Sequence, residues 1–98
     1  MTKTINISYC HCSLNELAAA DRQLVEAAFE ATRQAYAPFS GFRVGAAARL
    51  RSGEIITAAN CESEVFPSGL CAERSLLHYY ATNYATDPIE ALAIASDP

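Results

Sequence analysis

Basic charge is scarce in this sequence, in which 7 lysine and arginine residues face 11 aspartates and glutamates for a net charge of −4. One of the seven is a lysine, and the arginines are scattered without a basic run. A protein that follows a phosphate backbone needs a clustered positive surface. The composition therefore argues against a nucleic-acid partner.

Long apolar runs are also missing. The longest are far shorter than the ~20 residues that a membrane-spanning helix needs, and residues 1–6 lack the apolar centre of a signal peptide. We therefore expect a cytoplasmic protein with no membrane partner. In a reducing compartment the four cysteines, at positions 10, 12, 61 and 71, are better interpreted as thiols or metal ligands than as disulfides.

The chain is long enough for one small domain, with 98 residues of which 51% are hydrophobic and 18% charged. That balance is typical of a globular chain and not of a disordered one. We expect a single domain over residues 1–98, in which residues 1–16 form a variable arm.

Hydrophobic periodicity predicts five elements in the order helix, strand, strand, helix, strand. A capping-box sequence at Ser13–Glu16 indicates a first helix that begins there or several residues later and ends near Tyr36, ahead of Pro38. The other predicted elements are antiparallel strands at 42–50 and 54–59 joined by a hairpin, a helix from 70 to about 83, and a strand at 89–96.

The last predicted strand is a nearly continuous apolar run, which is typical of a strand covered on both faces. A strand that follows a helical crossover is expected to arrive parallel. The pattern therefore predicts an α/β fold with a mixed sheet between layers of helices, a three-layer α/β/α arrangement. Standing alone, this strand would leave an apolar edge exposed.

The most informative motif is Pro67–Arg74, where a thiol and a carboxylate, Cys71 and Glu73, stand two positions apart between a Pro-Ser-Gly turn and a helix-like run. This spacing places both at the first turn of a helix, where backbone N–H groups are free and the helix dipole is positive. A thiolate there is stabilised and can bind a metal or attack a substrate. The carboxylate beside it can move protons for a metal-bound water.

Further segments precede this motif in order: Pro38–Ala47, with the sequence PFSGFRVGAA, then Asn60-Cys61-Glu62, then Pro67. Together with Cys71-Ala72-Glu73-Arg74 they closely resemble the small, homotetrameric, zinc-dependent cytidine deaminases. The resemblance covers roughly residues 17–98, and it is specific because four separate elements recur at the family's separations. It implies a cytidine-deaminase-like fold, of which this chain would be the N-terminal part, truncated after the third strand.

The resemblance also implies a chemistry, the hydrolytic deamination of cytidine and deoxycytidine in pyrimidine salvage. In that reaction a zinc-activated water attacks C4, ammonia leaves and uridine forms. By resemblance, Cys71 is a zinc ligand, Glu73 is the catalytic acid and base, and Arg74 donates to the zinc thiolates and offsets their charge.

The substrate contacts follow from the same resemblance. Asn60 and Glu62 match the pair that binds the ribose hydroxyls, and Phe42 matches the aromatic residue that packs on the base. The backbone near Ala72 would hold the polar edge of the base. The implied partners are a small nucleoside and further copies of the chain in a dimer or tetramer.

Two departures from the family pattern are Glu64, where the family has alanine, and Phe66, where it has tyrosine; both positions approach a neighbouring subunit's site in the tetramer. A larger departure concerns the zinc ligands. Family members continue shortly after the segment that matches Ala93–Asp97 into Pro-Cys-x-x-Cys, which supplies two more zinc-binding thiolates. A catalytic zinc ion needs three protein ligands. We therefore expect the 98-residue chain alone to be inactive. The alternative is a non-catalytic truncated paralogue or assembly subunit.

The candidate residues at the helix start also have structural interpretations. Cys71 could be a buried thiol, and Glu73 a first-turn carboxylate that stabilises the helix dipole. Arg74 could be an ordinary surface arginine.

The other candidates have such alternatives as well. Asn60 could cap a turn beside a solvated Glu62, and Phe42 could belong to the core. Cys61 should point away from its two neighbours and is interpreted as a packing residue. The Cys10–Cys12 segment is interpreted as part of the arm and not as a metal site.

Overall fold

The computed structural model describes residues 1–63 and 69–97. It contains helix α1 (Ala19–Ala31), strand β1 (Arg43–Leu50), strand β2 (Ile55–Ala59), helix α2 (Ala72–Asn83) and strand β3 (Ile89–Asp97), with 3-10 turns at Leu14–Glu16 and Thr32–Gln34. These elements follow the predicted order. In the described part of the chain, no helix is long and apolar enough to cross a membrane.

The capping-box residues form a turn of their own ahead of α1. The Ser13 hydroxyl donates to the Glu16 carboxylate at 3.1 Å across this turn. Helix α1 begins at Ala19, which is the later of the two starts that the sequence allowed. It ends at Ala31 and passes into the 3-10 turn Thr32–Gln34, so the α-helix stops earlier than the predicted end near Tyr36, although helical structure does stop ahead of Pro38.

The three strands form one sheet in the order β2–β1–β3, with β1 at its centre. A tight hairpin joins β1 to β2, and Gly53 in this hairpin has a φ of +96°, a conformation that favours glycine. The register places Ala48 of β1 opposite Ile56 of β2. The predicted antiparallel hairpin is therefore confirmed.

The position of β3 corrects the predicted mixed sheet. β3 follows the α2 crossover and runs parallel to β2, but β1 lies between them and pairs with both in antiparallel fashion. Ala47 of β1, for example, lies opposite Ala93 of β3. The described sheet is thus antiparallel throughout. A crossover fixes the direction of the next strand, but it does not fix which strand becomes its neighbour.

The two helices cover opposite faces of the sheet. Leu24 and Ala28 of α1 form one buried cluster with Ala47, and Leu76 of α2 belongs to a second cluster on the other face. Because successive strand residues point to opposite faces, the fully buried run Ala46–Ala48 shows that the centre of β1 is covered on both sides. The predicted three-layer α/β/α architecture is confirmed.

Close packing of α1 on β1 depends on Gly45. A Cβ atom at this position would lie 2.0 Å from the carbonyl oxygen of Ala28 and 2.8 Å from the backbone nitrogen of Thr32. Both are backbone atoms, so no side chain could move aside to make room. Gly45 therefore allows α1 to lie directly against the central strand.

Strand β3 is well covered on one face only. Ala91, Ala93 and Ala95 pack against the α1 cluster, whereas Leu92 and Ile94 on the opposite face are 45% and 50% exposed. The predicted cover on both faces is wrong for the described chain, because α2 lies mainly over β2 and β1. The apolar exposure expected of this strand is present.

Candidate functional site

A cavity of about 670 Å³ lies where the first turn of α2 meets the end of β2 and the turn before β1. Its lining combines apolar side chains with a few polar and ionisable ones, which is the usual composition of a small-molecule site. The described lining residues are Phe39, Val44, Asn60, Cys61, Glu62, Ser63, Gly69, Leu70, Cys71, Ala72 and Glu73.

Backbone hydrogen bonds tie the end of β2 to the start of α2. Cys61 and Leu70 exchange two of them, each 2.8 Å long. Tyr36, at the end of the first helical region, binds the backbone of Asn60 at 3.0 Å and that of Glu62 at 2.8 Å. Three distant parts of the sequence are thereby held together, and the Cys61–Leu70 pairing lies on one wall of the cavity.

Cys61 does not have the packing role that the sequence suggested. It is exposed, because its backbone bridges Tyr36 and Leu70 outside the main sheet. A Cβ atom on Gly69 would lie 3.0 Å from the carbonyl oxygen of Cys61. Glycine at position 69 therefore allows the two segments to approach closely.

Cys71 and Glu73 lie at the start of α2, as the spacing predicts. Cys71 is the N-cap residue, with extended backbone at φ −73° and ψ 162°, and its side chain makes no capping hydrogen bond. Its thiol is exposed, so it is not a buried structural cysteine. Ala72 between them is fully buried, and Glu73 is half-buried. The thiol and the carboxylate thus lie on one cavity at the positive end of a helix.

The side chain of Asn60 joins the end of β2 to the start of β1. Its Oδ1 accepts the backbone N–H of Val44 at 3.0 Å, and its Nδ2 donates to the carbonyl oxygen of Phe42 at 3.0 Å. A side-chain amide has two acceptor lone pairs and two N–H donors. Among the described residues, these two bonds leave one acceptor and one donor of Asn60 unused.

The carboxylate of Glu62 binds the turn that precedes β1. Oε1 accepts the backbone N–H groups of Phe39 at 2.9 Å and Ser40 at 3.1 Å, and Oε2 accepts the Ser40 hydroxyl in a short hydrogen bond. The hydroxyl and backbone N–H of Ser40 favour the charged form and hold the pKa of Glu62 below its usual range, although burial opposes them.

Five of the seven sequence-predicted site residues line the cavity, namely Asn60, Glu62, Cys71, Ala72 and Glu73. Phe42 and Arg74 are not among its lining residues. Phe42 is 47% exposed, and Arg74 is exposed on α2.

Among the described residues, the aromatic residue that lines the cavity is Phe39, which sequence reasoning missed, along with Val44 and Leu70. Phe39 lies in the same Pro38–Ala47 segment as Phe42. The segment itself was the only signal that could have pointed to it.

Comparison with known proteins gives this cavity a context. The chain is 37% identical over 78 residues to a cytidine deaminase from Halalkalibacterium halodurans, a match that covers 79% of this chain and 58% of the relative. It is 32% identical over 73 residues to a probable cytidine deaminase from Dictyostelium discoideum, covering 74% of this chain and 49% of the relative.

A solved structure agrees with these relatives. The crystal structure of cytidine deaminase from Burkholderia pseudomallei superposes with a TM-score of 0.71 at 35% identity, and the match covers 78% of this chain and 61% of that one. The chain is related by sequence and fold to the cytidine deaminases. No protein-family model matches it. The matched region spans roughly half to three fifths of these cytidine deaminases.

The zinc ion that resemblance to the cytidine deaminases implies can be tested against the donors in the cavity. Cys71 is exposed there and suits zinc as a soft ligand. Within residues 1–63 and 69–97, however, no group of three or more His, Cys, Asp or Glu could hold a metal ion. The described residues therefore do not by themselves fit a catalytic zinc site, which needs three protein ligands.

Three residues named in the sequence analysis for their agreement with or departure from the family pattern lie outside the described residues: Glu64, Phe66 and Pro67.

Proposed function

We propose that this chain is the nucleoside-facing part of a cytidine deaminase, an enzyme that hydrolyses cytidine and deoxycytidine to the uridine products and ammonia. The main support is that a helix-start thiol, a neighbouring carboxylate and two polar side chains line one cavity. Its volume of about 670 Å³ falls within the range of about 300–1,000 Å³ that is usual for small-molecule sites. The similarity to cytidine deaminases links these groups to nucleoside chemistry.

Asn60 and Glu62 are proposed to bind the sugar hydroxyls. Each is already bonded to the protein backbone, yet within residues 1–63 and 69–97 each keeps unused hydrogen-bonding capacity. A carboxylate offers about four lone-pair positions, of which Glu62 uses two on Oε1 and one on Oε2. The remaining position of Glu62, with the spare donor and acceptor of Asn60, suits a pair of hydroxyl groups.

The base is proposed to lie towards the start of α2. Ala72 is the first residue of this helix, so its N–H belongs to the group that lacks a partner within the helix. That N–H can bind a polar atom on the edge of the pyrimidine. The predicted packing of Phe42 on the base stays a prediction, and Phe39 is the aromatic residue that the described part of the chain places on the cavity.

Glu73 is proposed to move the protons of the reaction. Attack of water at C4 forms a C–O bond, and loss of ammonia breaks the C–N bond. Glu73 would accept the proton that the water loses and deliver it to N3, and would later carry the proton of the new C4 hydroxyl group to the departing amino group. Its half-buried place on the first turn of α2, on the same cavity as Asn60 and Glu62, supports this role.

Cys71 is proposed as one ligand of a zinc ion, with Arg74 offsetting the thiolate charge. When bound, the metal would supply an activated water at neutral pH. Since the described residues provide fewer than the three ligands required, the other ligands would come from elsewhere. For that reason we expect the 98-residue chain alone not to turn over cytidine.

The second candidate is a non-catalytic paralogue or assembly subunit that keeps the nucleoside-facing half without metal. The observation that favours it is that Cys71 stands without two further ligands among the described residues. Zinc content separates the two: about one ion per chain favours the enzyme, and a metal-free protein that still binds nucleoside favours the subunit.

Calorimetric titration of the purified chain with cytidine, alongside an assay for uridine and ammonia, tests the proposal. We expect saturable binding, weakened by Asn60→Ala and unchanged by Asn15→Ala, an exposed residue of the first turn. Absence of cytidine binding would contradict the proposed function. Turnover by the chain alone would contradict only the expected inactivity.

Four further predictions accompany this function. They are a cytoplasmic location, a role in pyrimidine salvage, assembly into a homodimer or homotetramer, and a single domain over residues 1–98 with residues 1–16 as an arm.

A further inference from the structure

The turn before β1 carries an aromatic residue of the cavity but has little packing of its own. Phe39 lines the cavity and is nevertheless 60% exposed. Gly41 closes the turn with a φ of +69°, and its N–H donates to the carbonyl oxygen of Ala37 at 3.0 Å. A surface turn of this kind has few buried contacts to fix it, so its position depends on specific hydrogen bonds.

Glu62 supplies those hydrogen bonds from a distant part of the sequence. Its carboxylate accepts the N–H groups of both Phe39 and Ser40 and the hydroxyl of Ser40. The Ser40 hydroxyl oxygen in turn accepts the N–H of Phe42 at 3.0 Å. One side chain thus holds consecutive backbone positions on the approach to β1.

We propose that Glu62 is a positioning residue whose carboxylate holds the Pro38–Gly41 turn against the cavity and thereby sets the place of Phe39 at its mouth. This role exists without a ligand and is additional to the contact with a sugar hydroxyl. It rests on the proposed function only in naming what the cavity binds. Asn60 holds the next part of the same segment through Phe42 and Val44.

Substitutions of Glu62 can separate the effect of its side-chain length from the effect of its charge. In Glu62→Gln the side-chain oxygen can still accept the N–H groups of Phe39 and Ser40. In Glu62→Asp the charge is kept but the shorter side chain cannot reach the turn. Glu62→Ala removes both the charge and the side-chain length. Ser40→Ala removes the hydroxyl group that donates to the Glu62 carboxylate.

Amide hydrogen exchange of the ligand-free chain, followed by NMR, tests the proposal without substrate or turnover. We expect exchange at Phe39 and Ser40 to become about tenfold faster in Glu62→Ala and Glu62→Asp, and to change much less in Glu62→Gln. Exchange at Leu76 in the α2 core should not change. The matched control is Glu26→Ala, which removes an exposed carboxylate from α1.

A second measurement, cytidine affinity of the same variants, separates this proposal from the proposed function. Faster exchange at Phe39 and Ser40 in a chain that binds no cytidine supports the positioning role and contradicts the nucleoside site. Unchanged exchange in Glu62→Ala overturns the positioning role, even where cytidine affinity falls. If Glu62→Ala does not fold, the Ser40→Ala variant tests the proposal instead. We expect exchange at Phe39 to be faster in Ser40→Ala as well. Unchanged exchange at Phe39 in that variant overturns the proposal.

Discussion

Asn60 and Val44 are joined twice at the point where β2 ends and β1 begins. The backbone N–H of Asn60 donates to the carbonyl oxygen of Val44 at 3.1 Å, and the N–H of Val44 donates to Oδ1 of Asn60 at 3.0 Å. The side chain therefore continues the strand pairing where the backbone of β2 turns away. Both residues line the cavity, so this link couples the sheet to the candidate site.

Replacing Asn60 should therefore affect stability as well as ligand binding. Asn60→Ala leaves the N–H of Val44 and the carbonyl oxygen of Phe42 without their side-chain partners. We expect the free energy of unfolding to fall by about 1–3 kcal/mol, measured by urea denaturation. The exposed Asn15→Ala should stay within about 0.5 kcal/mol of the original chain. An unchanged stability for Asn60→Ala would show that these bonds are not important to the fold.

Gly45 is expected to tolerate no side chain. The added Cβ of Gly45→Ala would lie 2.0 Å from a backbone oxygen of α1, so the helix must move away from the sheet. We expect a loss of at least about 2 kcal/mol, measured by thermal or urea unfolding. Thr57→Ala on the exposed side of β2 is the control. A Gly45→Ala chain as stable as the original would mean that α1 lies farther from β1 than described.

The depressed pKa of Glu62 predicts a pH dependence with a definite sign. The folded chain favours the charged form, so it holds fewer protons than the unfolded chain, and the stabilisation is fully present above the unfolded value of about 4.3. It is lost as the pH falls through the lower folded value. The stability difference between the original chain and Glu62→Ala should therefore shrink on acidification.

This pH dependence can be measured by urea unfolding at a series of pH values between about 6 and 2.5. The exposed Glu26→Ala serves as the reference for general acid effects. The hydrogen bonds from Phe39 and Ser40 to Glu62 would be contradicted if the stability difference between the original chain and Glu62→Ala stayed constant over this pH range. They would also be contradicted if that difference grew as the pH fell.

The exposed face of β3 should make the 98-residue chain prone to self-association. Leu92 and Ile94 lie side by side on this face at 45% and 50% exposure, on a strand at the edge of the described sheet. We expect the double variant Leu92→Thr, Ile94→Thr to sediment closer to a monomer than the original chain at equal concentration. Identical sedimentation of the two would show that this face is not involved in association.

The local elements could be predicted because their signals are local. The alternation around Ala46 and Ala48 and the helical run after Cys71 each lie within one element, and the hairpin depends on Gly53 and its neighbours. The place of β3 beside β1 could not be predicted in this way. It depends on where a crossover of more than a dozen residues lands, and the apolar run at 89–96 fits either a central or an edge position.

The site shows the same division between local and distant contacts. Cys71 and Glu73 follow from a helix start, which the sequence displays directly. The described aromatic residue on the cavity does not, because the resemblance pointed to Phe42, whereas the neighbouring Phe39 of the same segment lines the cavity. Phe39 lines the cavity and is bound through its backbone by Glu62, a residue far along the chain. No sequence pattern signals that contact.

The most direct test of the central claim is an NMR titration of the isotope-labelled chain with cytidine, with adenosine as the matched control. The cavity predicts saturable shifts at Asn60, Glu62 and Cys71–Glu73 with cytidine and none of comparable size with adenosine. A second cavity of about 520 Å³, lined in part by Glu54 and Tyr84, gives an internal reference. Shifts confined to that second cavity, or no saturable shift at all, would contradict the assignment of a nucleoside site at the start of α2.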